Sequence, residues 1–274
     1  MSPGIHDGIP AGTYHADPNS ISKTGLARYA DNPARYRHGD PQQTRPMALG
    51  ELAHAAILEP ASLSQRYHVS RLKIFSEDHK AFREDMVRAM GRKIVKQAEW
   101  DEAMRMRDSI MRHPVARELL TADLIVERTA VWHDPDTGVR LRARPDGIAP
   151  VANVIVDLKS ARDASPRAFA KVAAEYRYHW QPPIYGDGMR LADGWHAAAF
   201  IFLAVEPEQP HLAAAYELSP RALAQGRLDV QRTLRAYARD LARDTWPGHS
   251  PEIETLDLPS YIYDPSPSLR GDRT

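Results

Sequence analysis

The chain contains no cysteine. That excludes disulfides, zinc–thiolate centres and thiol nucleophiles, and it fits a reducing compartment. It also has no net charge, with 36 Lys and Arg balancing 36 Asp and Glu. Coating nucleic acid through overall positive charge is thereby excluded, because non-specific affinity comes mostly from neutralising phosphates. A locally basic groove, or a ring that holds DNA topologically, remains open. No apolar run approaches the roughly 20 residues needed to span a bilayer. The opening M-S-P-G-I-H-D-G lacks the basic start and apolar stretch of a secretory signal. What is present is an ordinary globular composition, 43% hydrophobic and 26% charged over 274 residues, enough for one large domain or two small ones around a substantial core.

The chemistry concentrates in residues 144–160, R-P-D-G-I-A-P-V-A-N-V-I-V-D-L-K-S. Val154, Val156 and Leu158 alternate with Ile155, Asp157 and Lys159, the period-2 pattern of a strand with two distinct faces. Side chains at i and i+2 point the same way, so Asp157 and Lys159 share one face above the three aliphatics. Residues 139–148 are expected to be the partner strand, joined through residues 150–153, which brings Asp146 close to Asp157. Two adjacent acids repel unless one is protonated or a cation lies between them. A hard divalent ion such as Mg²⁺ suits oxygen ligands of this kind, and Lys159 would then face a phosphate or a bound water. A surface hairpin with an exposed Lys159–Asp157 pair, worth about 0–1 kcal/mol, would contain the same triplet.

The remaining elements read in order. Residues 1–20 form an arm. Ser22 caps a helix with Leu26, Tyr29 and Ala30 on one side, interrupted at Pro33. That helix start either packs an amphipathic segment or contacts a phosphate. After a polar loop at 37–46, residues 47–59 form a buried helix with Gly50 and His54 on one face. Gly50 is expected to admit another backbone, while His54 is either a satisfied core imidazole or a metal ligand. Residues 61–76 are a loop with a short strand at 67–69. Residues 77–120 are helical, broken near Gly91 or Trp100. Residues 124–133, 139–146 and 154–160 make a three-stranded antiparallel meander, with Glu127 on its first strand. Ser165-Pro166 opens a helix, and Pro182 and Pro183 force another to begin at or just after Gln181. Residues 197–205 are a buried central strand with 212–218 beside it. A final helix at about 222–245 carries Arg221, Arg227, Arg232, Arg235, Arg239 and Arg243 along it, and residues 246–274 are a tail. The fold class is α/β, a mixed central sheet flanked by helices. The expected division is an arm to residue 20, a single domain over 21–245 and the tail.

R-P-D-G followed by I-V-D-L-K-S resembles the active-site core of the PD-(D/E)XK nucleases. The chain from about Gly12 to about Leu218 is similar to the nuclease domain of the RecE-type exonuclease VIII family of phage and prophage recombination systems. The supporting motifs occur in the family's order: G-T-Y-H-A-D-P-N-S-I-S at the start, G-x-x-x-H at Gly50 and His54, and Q-x-x-x-Y at Gln181 and Tyr185. The resemblance implies a PD-(D/E)XK core with catalytic Asp146, Asp157, Lys159 and Gln181. One or two Mg²⁺ or Mn²⁺ ions would be held by His54, Asp146, Asp157 and the backbone carbonyl of Leu158. Ser22, Ser160 and Tyr185 would contact DNA, and Glu127 would support the ligands from behind. It further implies 5′ to 3′ digestion of linear double-stranded DNA, a RecT-type annealing partner, assembly into a ring, and the cytoplasm of a bacterial host. A structure-specific or helicase-associated nuclease on the same core, and a catalytically silent DNA-binding relative, are the alternatives.

Overall fold

The computed structural model describes residues 1–39, 47–70, 72 and 80–259. Expectations for residues 40–46, 71, 73–79 and 260–274 lie outside them. The first third is mostly helical: β1 (Gly4–His6), α1 (Ala11–Ala16), α2 (Lys23–Asp31), α3 (Pro33–His38), α4 (Met47–Leu58) and α5 (Leu63–Arg66). Ser22 caps α2 by accepting the Gly25 N–H, and Asn32 caps α3, with Pro33 in its first turn. A small lobe follows, in which β2 (Tyr67–Ser70) and β3 (Lys93–Lys96) pair in parallel beside α6 (Lys80–Ala89). Next come α7 (Gln97–Arg112) and α8 (Pro114–Thr121). The helical break falls at Met90 and Gly91, both at positive φ, and not at Trp100, which lies inside α7. Sequence reading missed β3, a four-residue strand between two helices.

The meander is also corrected. Its first strand is two, β4 (Ile125–Val126) and β5 (Thr129–His133), and its second is β6 (Arg140–Ala143) and β7 (Gly147–Ala149). Glu127 adopts the left-handed region at φ 50°, and Arg144–Asp146 interrupts the second strand where Pro145 has no N–H to donate. β5 and β6 therefore join β1 in a three-stranded sheet. β4 and β7 join β8 (Val154–Ser160), β9 (Ala199–Val205) and β10 (Ala213–Glu217) in a five-stranded sheet, ordered β10-β9-β8-β7-β4. Only β8 and β9 run parallel in it. Their crossover is α9 (Pro166–Glu175), a 3₁₀ turn at Tyr178–Trp180, and α10 (Gln181–Asp193), and the chain continues into α11 (Pro220–Arg243).

The alternation along β8 sorts two cores. Ile155 packs with Phe169, Ile184, Phe202, Val230 and Leu234, the side of α9, α10 and α11. Val156 and Leu158 pack with Leu52, Met106, Ile110 and Leu203, the side of α4 and α7. Burying each aliphatic contributes about 1.5–3 kcal/mol, so the register of β8 is strongly fixed. Asp157 and Lys159 are thereby forced onto the Ile155 face. After α11 the chain is pinned at once. The Trp246 ring lies 6.0–6.3 Å from those of Tyr29, Tyr36 and Tyr237, and the Ala34 N–H donates to the Pro247 carbonyl.

Candidate active site

β7 and β8 pair with Gly147 opposite Val156, so the residue before Gly147 lies level with the residue after Val156. These are Asp146 and Asp157. Because Asp146 precedes the ladder, its side chain folds across it, and Oδ2 accepts the Leu158 N–H at 2.7 Å. The same oxygen lies 3.1 Å from His54 Nε2, presented by α4. Burial works against ionising both groups, but each outweighs it for the other. Asp146 is held below its ordinary value by His54, Lys159 and the Leu158 N–H, and His54 is raised by Asp146.

Asp157 is 1% exposed and has different neighbours. Its Oδ1 accepts the Gln181 amide N–H at 2.5 Å, and its Oδ2 is ion-paired with Lys159 Nζ. Burial pushes it up, Asp146 adds to this, and Lys159 and Gln181 oppose, leaving it at about 6. Lys159 is lowered by burial but raised overall by Asp157 and Asp146, so it stays an ammonium. It lies 4.7 Å above the Tyr178 ring, a cation–π contact. Pro182 and Pro183 occupy the first turn of α10, where missing N–H groups cost nothing, so Gln181 heads that helix facing Asp157. Gln181 also donates to the Tyr185 hydroxyl at 3.4 Å. Its buried Oε1 has no partner among the described residues.

Two cavities meet at Lys159. One, of about 410 Å³, lies towards α2 and is lined by Lys23, Arg28, Asp157, Arg177, Tyr178 and Gln181 among others. The other, of about 770 Å³, lies towards α4 and includes Gly50, His54, Arg66, Glu127, Leu158 and Ser160. A Cβ at Gly50 would meet nothing within 4 Å, so the expected close backbone approach is absent among the described residues and the glycine faces open space. Ser22 is occupied as the cap of α2; Lys23 and Thr24, after it, line the α2-side cavity. Glu127 Oε2 lies 3.6 Å from Arg144 Nη1 at the edge of the site.

Lys23 escaped sequence reading. It stands in the first turn of α2, where a cation opposes the helix dipole, and that unfavourable placement was the available signal. Its Nζ donates to the Tyr176 carbonyl at 2.5 Å and lies 5.6 Å from the Tyr178 ring, the ring that Lys159 also covers. Burial, then Lys159, lowers its pKa to about 8.

Among the described residues no group of three or more His, Cys, Asp or Glu side chains is drawn around one point. The expected ligands are assembled but neutralised in pairs, Asp146 with His54 and Asp157 with Lys159, and Leu158 offers its N–H to Asp146. The donor chemistry nevertheless fits a hard divalent cation. Two carboxylates stand side by side at a partly buried point, and Asp157 is raised by burial and then by Asp146, both of which added positive charge would offset.

The family described as "PDDEXK-like domain of unknown function (DUF3799)" matches residues 26–259. No curated protein matches the chain. Among solved structures, a protein from Eubacterium rectale named provisionally as an exonuclease superposes with a TM-score of 0.62 at 13% identity, covering 95% of this chain and 99% of its own. A phage-related exonuclease from Haemophilus somnus gives 0.33 at 11% identity, with coverage of 82% and 96%. An alkaline exonuclease from Laribacter hongkongensis gives 0.25 at 16%, with coverage of 71% and 97%. At such identities the first likeness speaks for the fold alone, and the other two carry no argument.

Proposed function

The chain belongs to the PDDEXK-like domain family, and from that premise we propose that it is a metal-dependent deoxyribonuclease that degrades linear double-stranded DNA from its ends. The observation that carries this reading is the meeting of His54, Asp146, Asp157, Lys159 and Gln181, from three distant segments, at one hairpin. Asp146, Asp157 and His54, with the Leu158 carbonyl, would hold one or two Mg²⁺ or Mn²⁺ ions. Such an ion, when bound, lowers the pKa of a water and offsets charge developing on the scissile phosphate.

The chain's own residues supply the rest. Gln181 fixes the rotamer of Asp157 through its amide. Lys159, an ammonium between the two cavities, orients the attacking water or neutralises the phosphorane; as an ammonium it cannot itself take the water's proton. Lys23 and Tyr178 line the side from which a phosphate would approach. Ser160 and Tyr185 are assigned to DNA contact, Ser22 to presenting the α2 turn, and Glu127 to supporting His54 electrostatically. We assign residues 21–245 to a single nuclease domain, to whose three-stranded sheet the arm adds β1. By the resemblance of its motifs the digestion runs 5′ to 3′, leaves 3′ single strands for recombination in a bacterial cytoplasm, and involves a RecT-type annealing protein and a ring of copies.

The test is digestion of linear, nicked and covalently closed duplexes, end-labelled where ends exist, with Mg²⁺, Mn²⁺ or EDTA. The expected result is loss of linear duplex alone, dependent on metal. Cutting of closed circles would favour a structure-specific nuclease on the same core. No hydrolysis of any DNA with either metal would overturn the reading.

A further inference from the structure

The net charge of the chain is zero, yet one surface is strongly one-signed. Along α11 the buried positions are Gly226, Val230, Leu234 and Tyr237. At 100° per residue, Arg221, Arg232, Arg235, Arg239 and Arg243 all fall within about 45° of the opposite direction. All five are exposed, and that arc of α11 contains no acid. The helix has two acids before its cap, and both turn aside. Asp229 meets His179 at 3.3 Å and Gln225 at 2.8 Å, and Asp240 accepts from the Tyr29 hydroxyl at 2.5 Å. From other elements, Asp136 reaches Arg235 at 4.0 Å between two side chains that are each 61% exposed. Such a pair is worth little.

The stripe runs about 33 Å along a straight, rigid element. Its C-terminal end abuts α2 and α3. Arg37 lies 5.6 Å over the Trp246 ring, Trp246 contacts Tyr29, and Arg28 of α2 lines the α2-side cavity. Arg37 and Arg28 thus stand between the helix and the mouth of the site, with Asp244 held by the Trp246 indole N–H and Asp31 paired with Arg177.

We propose that the outer face of α11 is a docking track for the phosphate backbone of duplex DNA, leading to the α2-side cavity. This rests on the reading that nucleic acid is the substrate. Charge complementarity selects the occupant. Arginine forks match phosphate oxygens in pairs, and a rigid row of about 33 Å matches about ten base pairs of an equally rigid duplex. An acidic protein is the competing occupant.

The experiment measures binding of a labelled duplex to the full chain in EDTA, across a range of salt, so that cleavage plays no part. It compares Arg232→Gln/Arg235→Gln/Arg239→Gln with Arg105→Gln/Arg112→Gln/Arg117→Gln. The second triple makes the same change of charge at exposed positions of α7 and α8, which pack on the other side of the sheet. Circular dichroism checks that both fold. The expected result is at least about ten-fold weaker binding for the first triple at 0.1 M salt, with the slope of log K against log salt reduced by about 2–3. The second triple should stay within two-fold of the unaltered chain. Equal effects of the two triples, no effect of the first, or no duplex binding by the unaltered chain would overturn the proposal. So would α11-dependent binding of polyglutamate in place of duplex. Adding Mg²⁺ afterwards separates the two readings: duplex bound through α11 but never hydrolysed would sink the nuclease assignment and leave the track standing.

Discussion

The two cavities that meet at Lys159 are furnished differently. Towards α4, an imidazole and an acid share a contact beside a glycine whose Cβ would meet nothing within 4 Å among the described residues. Towards α2, Lys23 lies beside the Tyr178 ring, and Arg28 and Arg177 line the same cavity as Asp146 and Asp157. The difference shows in the acids themselves. Asp146 is held low by its neighbours, whereas Asp157, one strand over, is pushed up to about 6 by burial and by Asp146. On the proposed function, a cation and a phosphate would sit at adjacent points and draw on different neighbours. The division makes mutations on the two sides separable by what they disturb.

The largest effect should come from the boundary. Asp157→Asn keeps the shape and still accepts the Gln181 amide, but removes the charge that pairs with Lys159. Cleavage should fall by on the order of 10³-fold or more, while the thermal midpoint moves by no more than a few degrees. Digestion of end-labelled duplex and a melting curve check both. Retained cleavage would end the assignment of Asp157. On the α4 side, His54→Ala should raise the Mg²⁺ concentration for half-maximal rate by at least about ten-fold, with little change in apparent KM for DNA. A metal dependence unchanged by His54→Ala would remove the distinction between the halves.

Much of this was legible before the structure. The i, i+2 spacing placed Asp157 and Lys159 on one face, and the proline pair placed Gln181 at the head of α10. Distant convergence was not: the spacing of Gly50 and His54 gives a helix face, but only the motif resemblance linked that face to Asp146. The divided meander was hidden because an ordinary acid, Glu127, takes up a left-handed backbone that no turn residue announces. The arginines of α11 were visible as a list of charges. That they form one outward stripe follows from which residues the helix buries, and periodicity alone does not say which side faces the protein. Trp246 looked like the start of a tail because nothing local signals its docking against Tyr29 and Tyr237.

Lys23 sharpens the comparison from the α2 side. Lys23→Met should weaken DNA affinity by about ten-fold and leave the metal dependence alone, the reverse of His54→Ala. Its folded pKa, about 8, lies below the ordinary lysine value of 10.5. The ammonium is therefore charged below about pH 8 and lost above it, so affinity should decline as pH rises through 8. Lys23→Arg, charged throughout, should flatten that limb. The groups facing Lys23 are Lys159, Asp157 and Arg177, with the Tyr176 carbonyl and the Tyr178 ring. The sign for stability is opposite to that for function. A lysine whose folded pKa is depressed opposes folding at neutral pH, and this penalty fades as pH rises from about 8 to 10.5. Lys23→Met should accordingly melt a few degrees higher at pH 7 while binding DNA worse. A variant that melted lower with unaltered affinity would mark Lys23 as structural.

The smallest change, Gly50→Ala, is the most discriminating for the α4 side. A glycine inside a helix costs about 0.5–1 kcal/mol relative to alanine, and a Cβ there would meet nothing within 4 Å among the described residues. By packing alone, alanine should raise the melting temperature by about one to three degrees. If the glycine instead keeps the space beside His54 clear for a substrate strand, the same substitution should raise KM for DNA a few-fold and leave Mg²⁺ dependence unchanged, because His54 and Asp146 are not disturbed. A higher melting temperature together with a higher KM would mean that the α4 half receives DNA as well as the cation. A higher melting temperature with unaltered kinetics would confine that half to holding the ion, and the α2 cavity alone would then have to admit the strand.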